Sequence, residues 1–449
     1  MDILQEIQKR ICFFDGGMGS LLQAAGLKPG ELPGIWNITH PEELVKIHRA
    51  YLDAGADIMT TNTFGVDALK YNENTEYQLD PVITSAVRNA KKAVELSGRD
   101  ACVALDMGPT GKLLKPLGDL AFEDAYELYS QVVRIGAREG VDLVIIETMS
   151  DSYETKAAVL AAKENCDLPV FVTVTFDEKG KLLTGGTPAS IVAMLEGLGV
   201  DAIGMNCGLG PIQMKEILKD MLAVTSVPVI VNPNAGLPRS ENGETVYDIN
   251  AEQFADALSE IVDMGARVVG GCCGTTPDHI RRVVGLCKDK VPVPVVPFTL
   301  QFLFTMLAGL LLGPVNGALA VVVYIVLGLA GLPIFTQGGG PGYIFQPSFG
   351  YIIGFAVATY VTGRIANEKS RPDYRCLLVA NFIGLFIVYA FGMVYYYVIS
   401  NFVLNTPIGL WPLFLYCFLL AVPGDIVLCI LAATLGKRMI PMIREGRLG

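Results

Sequence analysis

An alternation over residues 12 to 273 narrows the possible folds more than any other feature of the chain. Eight short apolar runs occur there: Cys12–Asp15, Asp57–Asn62, Cys102–Asp106, Leu143–Glu147, Val170–Phe176, Ala202–Cys207, Val229–Asn232 and Arg267–Gly271. Between them lie segments such as Pro41–Ala54, Phe122–Glu139, Ala189–Leu198 and Ala251–Met264, whose apolar positions recur at helical spacing. Strands that are apolar almost throughout fit a parallel sheet covered on its outer face. Eight strand–helix units in about 280 residues predict an α/β (β/α)8 TIM barrel, with a doubly wound open sheet as the alternative.

The alternation stops near Pro297, and so does the composition that goes with it. The 449 residues carry a net charge of −11, but residues 298–449 hold eight Lys+Arg against four Asp+Glu. The first 297 residues therefore carry −15 and form an acidic part large enough for a full core. Beyond it come long apolar runs, Phe298–Gly313, Val315–Gly331, Phe349–Ile365, Cys376–Ile399 and Ile408–Leu435. Too little polar surface remains to cover them in water. They predict an all-α membrane domain of about five transmembrane helices, the first run being short for a bilayer. The expected organisation is a barrel over 1–290, a proline-rich junction at 291–297 and a transmembrane domain over 298–449.

Polar residues fall where a barrel keeps its chemistry, at the C-terminal ends of the strands. Asp15-Gly16-Gly17, Thr61-Asn62-Thr63, Asp106-Met107-Gly108-Pro109, Glu147-Thr148, Cys207, Asn232-Pro233-Asn234 and Cys272-Cys273 each follow one run. Cys272 and Cys273 stand between glycines in Gly270-Gly271-Cys272-Cys273-Gly274-Thr275, and Cys207 ends its own strand. Three thiolates at strand ends suit zinc, with a fourth position open to a substrate. Such an electron-rich metal activates water poorly, which argues against a hydrolase. The ten cysteines show no disulfide spacing, and Met1-Asp2-Ile3-Leu4-Gln5-Glu6 has neither the basic nor the apolar region of a secretory signal. The barrel is expected in the cytoplasm. The lack of a basic stripe or aromatic platform excludes a nucleic-acid partner. His40, His48 and His279 read as surface or helix-start residues without a role.

Asp15-Gly16-Gly17-Met18-Gly19, Thr61-Asn62-Thr63-Phe64, Asn206-Cys207-Gly208 and Gly270–Thr275 resemble the homocysteine S-methyltransferase family, over about residues 5–290. The likeness is greatest to the homocysteine-binding module of cobalamin-dependent methionine synthases. It implies methyl transfer to the thiolate of homocysteine on zinc, giving methionine. Cys207, Cys272 and Cys273 would then be the metal ligands, and Asn234 matches a position that completes the coordination when substrate is absent. Asp15 and Glu147, with Gly16 and Thr148 beside them, match the residues that hold the amino-acid end of homocysteine. The methyl donor would be methylcobalamin on a separate protein module or a small methylated compound.

In the membrane part, Val296–Gln301, Ala308-Gly309-Leu310-Leu311-Leu312-Gly313-Pro314, Gly331–Phe335 and Pro423-Gly424-Asp425 resemble the BioY-type biotin transporters, over about 292–449. That likeness implies biotin and an energy-coupling-factor module as partners, and places the protein in the cell membrane. The family's first helix is missing here, and Leu428 stands where the family's acidic motif continues to a lysine. Asp425 is the candidate biotin contact or the N-cap of the last helix, and Gly338-Gly339-Gly340 a candidate substrate loop. In a rival reading the chain is a vitamin-uptake protein whose barrel is a passive passenger. Basic clusters at Arg364–Arg375 and Lys437–Arg447 should face the cytoplasm. Three spans counted back from Arg364 then put the barrel outside, against its chemistry.

Overall fold

The computed structural model describes all residues except 72–75, 242–243, 291–299, 333, 336–338, 369–371, 404–407, 420 and 445–449. The proline-rich junction and Gly338 of the glycine run thus lie outside the described residues. Two compact units are present, Met1–Val295 and Val296–Gly449.

The first unit is a parallel barrel. Its strands are β1 (Cys12–Phe13), β2 (Ile58–Thr60), β3 (Cys102–Met107), β4 (Leu143–Met149), β5 (Val170–Val174), β6 (Ala202–Asn206) and β7 (Val229–Asn232). A hairpin follows, β8 (Pro238–Glu241) with β9 (Glu244–Tyr247), and β10 (Val268–Val269) is the eighth barrel strand. Neighbours run β1-β10-β7-β6-β5-β4-β3-β2, and a parallel bridge between Phe14 and Ile58 joins the two ends. One apolar cluster, including Phe14, Ile58, Ala104, Ile145, Phe171 and Ile230, fills the barrel interior. A larger one, with Val144, Val172 and Ile203, packs between the strands and their helices. This double burial is why the strands read as continuous apolar runs.

Local signals set the helix ends. Pro41 opens the helix Pro41–Ala54, Glu42 and Glu43 sit in its first turn, and Gly55 closes it in the left-handed region at φ 109°. Capping boxes at Thr187 and Asn250 start the helices Pro188–Gly197 and Ala251–Met264. One expectation fails in this helix layer. His48 is neither a surface nor a helix-start residue: it lies inside Pro41–Ala54, fully buried, with both ring nitrogens unpaired. Burial pushes its pKa down to about 4, so it is a neutral core residue. The β8–β9 hairpin was also not expected. Its register pairs Pro238 with Tyr247.

The second unit is helical, with four helices among the described residues long and apolar enough to cross a membrane. The helix Gln301–Leu329 breaks at Gly313 (φ 82°, ψ 176°), just before Pro314. Its two arms pack side by side: a Cβ on Gly317 would meet the Ala308 carbonyl at 2.7 Å, and Gln301 donates to the Tyr324 hydroxyl at 2.8 Å. The first two apolar runs are therefore the arms of a hairpin, so that the four long helices among the described residues comprise five helical segments. Phe349–Asn367 and Tyr374–Val398 follow as read from the sequence. The last run divides, because Leu410–Phe414 and Leu415–Leu419 form short turns of their own before the helix Val422–Arg444.

Candidate active site

All the polar strand ends meet at one mouth of the barrel. After β6, Cys207 adopts φ 55°, and its N–H donates to the Asn232 carbonyl of β7 at 3.2 Å. After β10, the Cys272 N–H donates to the Pro233 carbonyl at 2.8 Å, and the Cys273 N–H to Asn234 Oδ1 at 3.1 Å. Thr275 Oγ1 donates back to the Cys272 carbonyl at 2.7 Å and accepts from the Gly17 N–H at 3.0 Å. This pinned turn brings the Cys207, Cys272 and Cys273 sulfurs within 4.8 Å of one another.

The Cys207–Cys273 separation is 3.9 Å, near the about 3.8 Å edge of a tetrahedron with zinc–sulfur bonds of about 2.3 Å. Without a cation the three cannot all ionise. Hydrogen bonds from Cys207 and then Cys272 hold the Cys273 thiol well below its usual range, with Tyr247 assisting. The same bonds, to Cys207 and then Cys273, and burial push Cys272 well up. A cluster that supports one negative charge alone, yet offers three sulfurs, fits a soft dication.

A carboxyl group stands at each of three further strand ends. Asp15 follows β1 and is buried; its side chain accepts from the Thr60 N–H at 2.8 Å and from Thr60 Oγ1 at 3.0 Å. Burial pushes its pKa up to about 7 against those bonds. Glu147, within β4 and half-buried, is raised to about 8 by burial, then by the charges of Asp15 and Cys273. Asp106, within β3, is pushed well above the carboxylate range by burial and then by Glu147 and Asp15. Gly16 packs against Thr275 Oγ1 and the Tyr51 ring, leaving no space for a Cβ.

Thr148 takes φ 60°, a left-handed conformation that is costly for a β-branched residue. It is clamped from both sides by Asn206, whose Oδ1 accepts from the Thr148 N–H at 2.8 Å and whose Nδ2 donates to Thr148 Oγ1 at 2.8 Å. The same amide donates to Glu147 Oε2 at 3.3 Å and accepts from Thr173 Oγ1 at 2.9 Å. Sequence reasoning gave no role to Asn206 or to Tyr247. Position directly before Cys207 was the available signal for the first. The second arrives on the unexpected hairpin, with its ring against Gly274.

Asp425 lies in the first turn of Val422–Arg444 and accepts from the Tyr389 hydroxyl at 2.6 Å. It is inside the helix, so the N-cap reading does not hold. His40 occupies the N-cap position of Pro41–Ala54 without a side-chain capping bond, and His279 closes a capping box with Thr276, so neither belongs to the site.

A parallel eight-stranded barrel with a cysteine triad at its mouth defines the class, and comparison gives the family. A model of the homocysteine S-methyltransferase family matches residues 12–287, and the chain belongs to that family. A model of the BioY family matches residues 282–445. The methionine synthase of Mycobacterium leprae (strain TN) is 36% identical over 310 residues, covering 64% of this chain and 25% of that protein. The methionine synthase of Mycobacterium tuberculosis (strain ATCC 25618 / H37Rv) is 35% identical over 298 residues, covering 63% and 25%. The chain thus spans about a quarter of the length of these curated relatives. Among solved structures, the metallated homocysteine methyltransferase MmuM from Escherichia coli shares the barrel fold. Its TM-score is 0.53 at 24% identity, over 62% of this chain and 96% of that one.

Proposed function

We propose that the barrel methylates the sulfur of homocysteine, giving methionine, with zinc held by Cys207, Cys272 and Cys273. The observation that carries this reading is the convergence of three sulfurs beside the buried Asp15 and half-buried Glu147 carboxyl groups at one strand-end mouth. Zinc would supply a Lewis acid that keeps the substrate thiol ionised at neutral pH, where a free thiol with a pKa near 8.5 is mostly protonated. The chain's own groups bind and orient. Asp15 and Glu147 accept from the substrate ammonium, while Gly16 and Thr148 hold the carboxylate end. Asn234 completes the donor set without substrate, for which its oxygen must leave the Cys273 N–H. The methyl group comes from methylcobalamin on a separate module or from a small methylated compound. The barrel works in a reducing compartment, on the cytoplasmic side. The membrane unit takes biotin, with Asp425 as a polar contact, and an energy-coupling-factor module as partner.

The test is metal content and methyl transfer in the full-length protein, purified in detergent. Wild type should hold about one zinc per chain, and Cys273→Ser should lose most of it together with homocysteine methylation, because a primary ligand is gone. Undiminished zinc and activity in that variant would overturn the reading.

A further inference from the structure

We infer that Asp106 is a third carboxyl contact for the primary ammonium of the substrate, and that it selects α-amino thiols over thiols lacking the amino group. The inference rests on the homocysteine reading above.

Asp106 is 5% exposed, and its backbone is fully employed. Its N–H bonds with Thr61 Oγ1 at 3.1 Å, and its carbonyl accepts from Thr63 Oγ1 at 2.6 Å. The two threonine hydroxyls lie 2.7 Å apart, so the loop after β2 holds this strand end rigidly. The side chain takes no part in that scaffold. Its Oδ1 is buried without any hydrogen-bond partner. A buried acceptor left unpaired costs about 1–3 kcal/mol and calls for an explanation.

The charged groups acting on Asp106 are Glu147 and Asp15, both acids. Strand order places β3 directly beside β4, which carries Glu147, and one strand away from β1, which precedes Asp15. Those two carboxyl groups already receive protein donors, Asn206 for Glu147 and Thr60 for Asp15. Asp106 retains acceptor capacity that no donor fills, beside two acids that oppose its ionisation while the pocket is empty. A ligand that relieves both problems carries positive charge and several N–H donors. A primary ammonium has three, one for each carboxyl group. A quaternary ammonium or a sulfonium has none.

The experiment compares binding of L-homocysteine with 4-mercaptobutanoate, the same chain without its amino group. Calorimetric titrations use the zinc-loaded full-length protein in detergent. Wild type should prefer homocysteine. Asp106→Asn keeps the shape and removes the group that can ionise against an ammonium; it should weaken homocysteine by about tenfold or more and leave 4-mercaptobutanoate within about threefold, because only the amino thiol loses a partner. Zinc content should stay at the wild-type level, and Asp106→Ala should show the same selective loss. Equal losses for both thiols would make Asp106 a structural residue and overturn the inference, as would unchanged homocysteine affinity. A wild-type protein that holds zinc but binds neither thiol would overturn the homocysteine reading along with it.

Discussion

Thr148 and Cys207 are the non-glycine residues with left-handed backbone among the described residues, and both stand in the site. Each such conformation costs about 1–3 kcal/mol and persists only when its surroundings over-determine it. Asn206 supplies that restraint for Thr148, and the Asn232 carbonyl helps supply it for Cys207. Residue type gave no warning, since threonine is among the least suited to positive φ. The carboxyl groups were legible as acids but not as perturbed ones, because desolvation depends on what packs around them. Glu147 titrates from 4.5 when exposed to about 8 in the folded barrel. Between those values the folded state holds more protons than the unfolded chain, so stability falls as pH rises across that window and levels above it. Glu147→Gln removes this dependence. Calorimetric scans should show the barrel transition of the variant losing a few degrees less than wild type between pH 5 and 8, while homocysteine binding weakens. An identical pH slope in both proteins would contradict the assignment.

At the scale of elements, the hairpin at Gly313 decides how the membrane unit is arranged. Gly313 and Pro314 reverse the chain where a single helix would run on, and the arms are about 18 Å and about 24 Å long at 1.5 Å per residue. Close approach allows this: a Cβ on Gly363 would meet the Gly309 carbonyl at 2.7 Å and Pro314 Cα at 2.9 Å. The turn therefore lies toward the Asn367 end of Phe349–Asn367. Gln301 lies at the other end, with Tyr324, whose ring packs on Phe335. By the positive-inside rule the Asn367 end, flanked by Arg364 and Arg375, is expected to face the cytoplasm. Cysteine substituted at Gln301 should then react with an impermeant maleimide applied to intact cells. Cysteine at Glu368 should react only after permeabilisation. The reverse pattern would invert the unit.

For the whole molecule, the proposed biotin role of the second unit should be measurable in the full chain. In a biotin-auxotrophic host supplied with the energising partner, it should support growth at trace biotin, and Asp425→Asn should lower that growth several-fold, because the carboxyl that accepts from the Tyr389 hydroxyl is lost. Growth unaffected by the substitution would remove Asp425 from the proposed site.

Periodicity by itself determined the barrel and the membrane helices, because solvent and lipid sort side chains by polarity at the fixed spacings of strand and helix. The strand-end position of Cys207, Cys272 and Cys273 followed from the same phase. Only the tertiary structure decided that their sulfurs meet, that Asn206 clamps Thr148, that Tyr247 reaches Cys273 from the β8–β9 hairpin, and that the first apolar runs fold back on each other. These features join residues tens of positions apart through single hydrogen bonds and close glycine contacts. Such contacts leave no period in the sequence, and they exist only once the packed core has fixed the backbones that bear them.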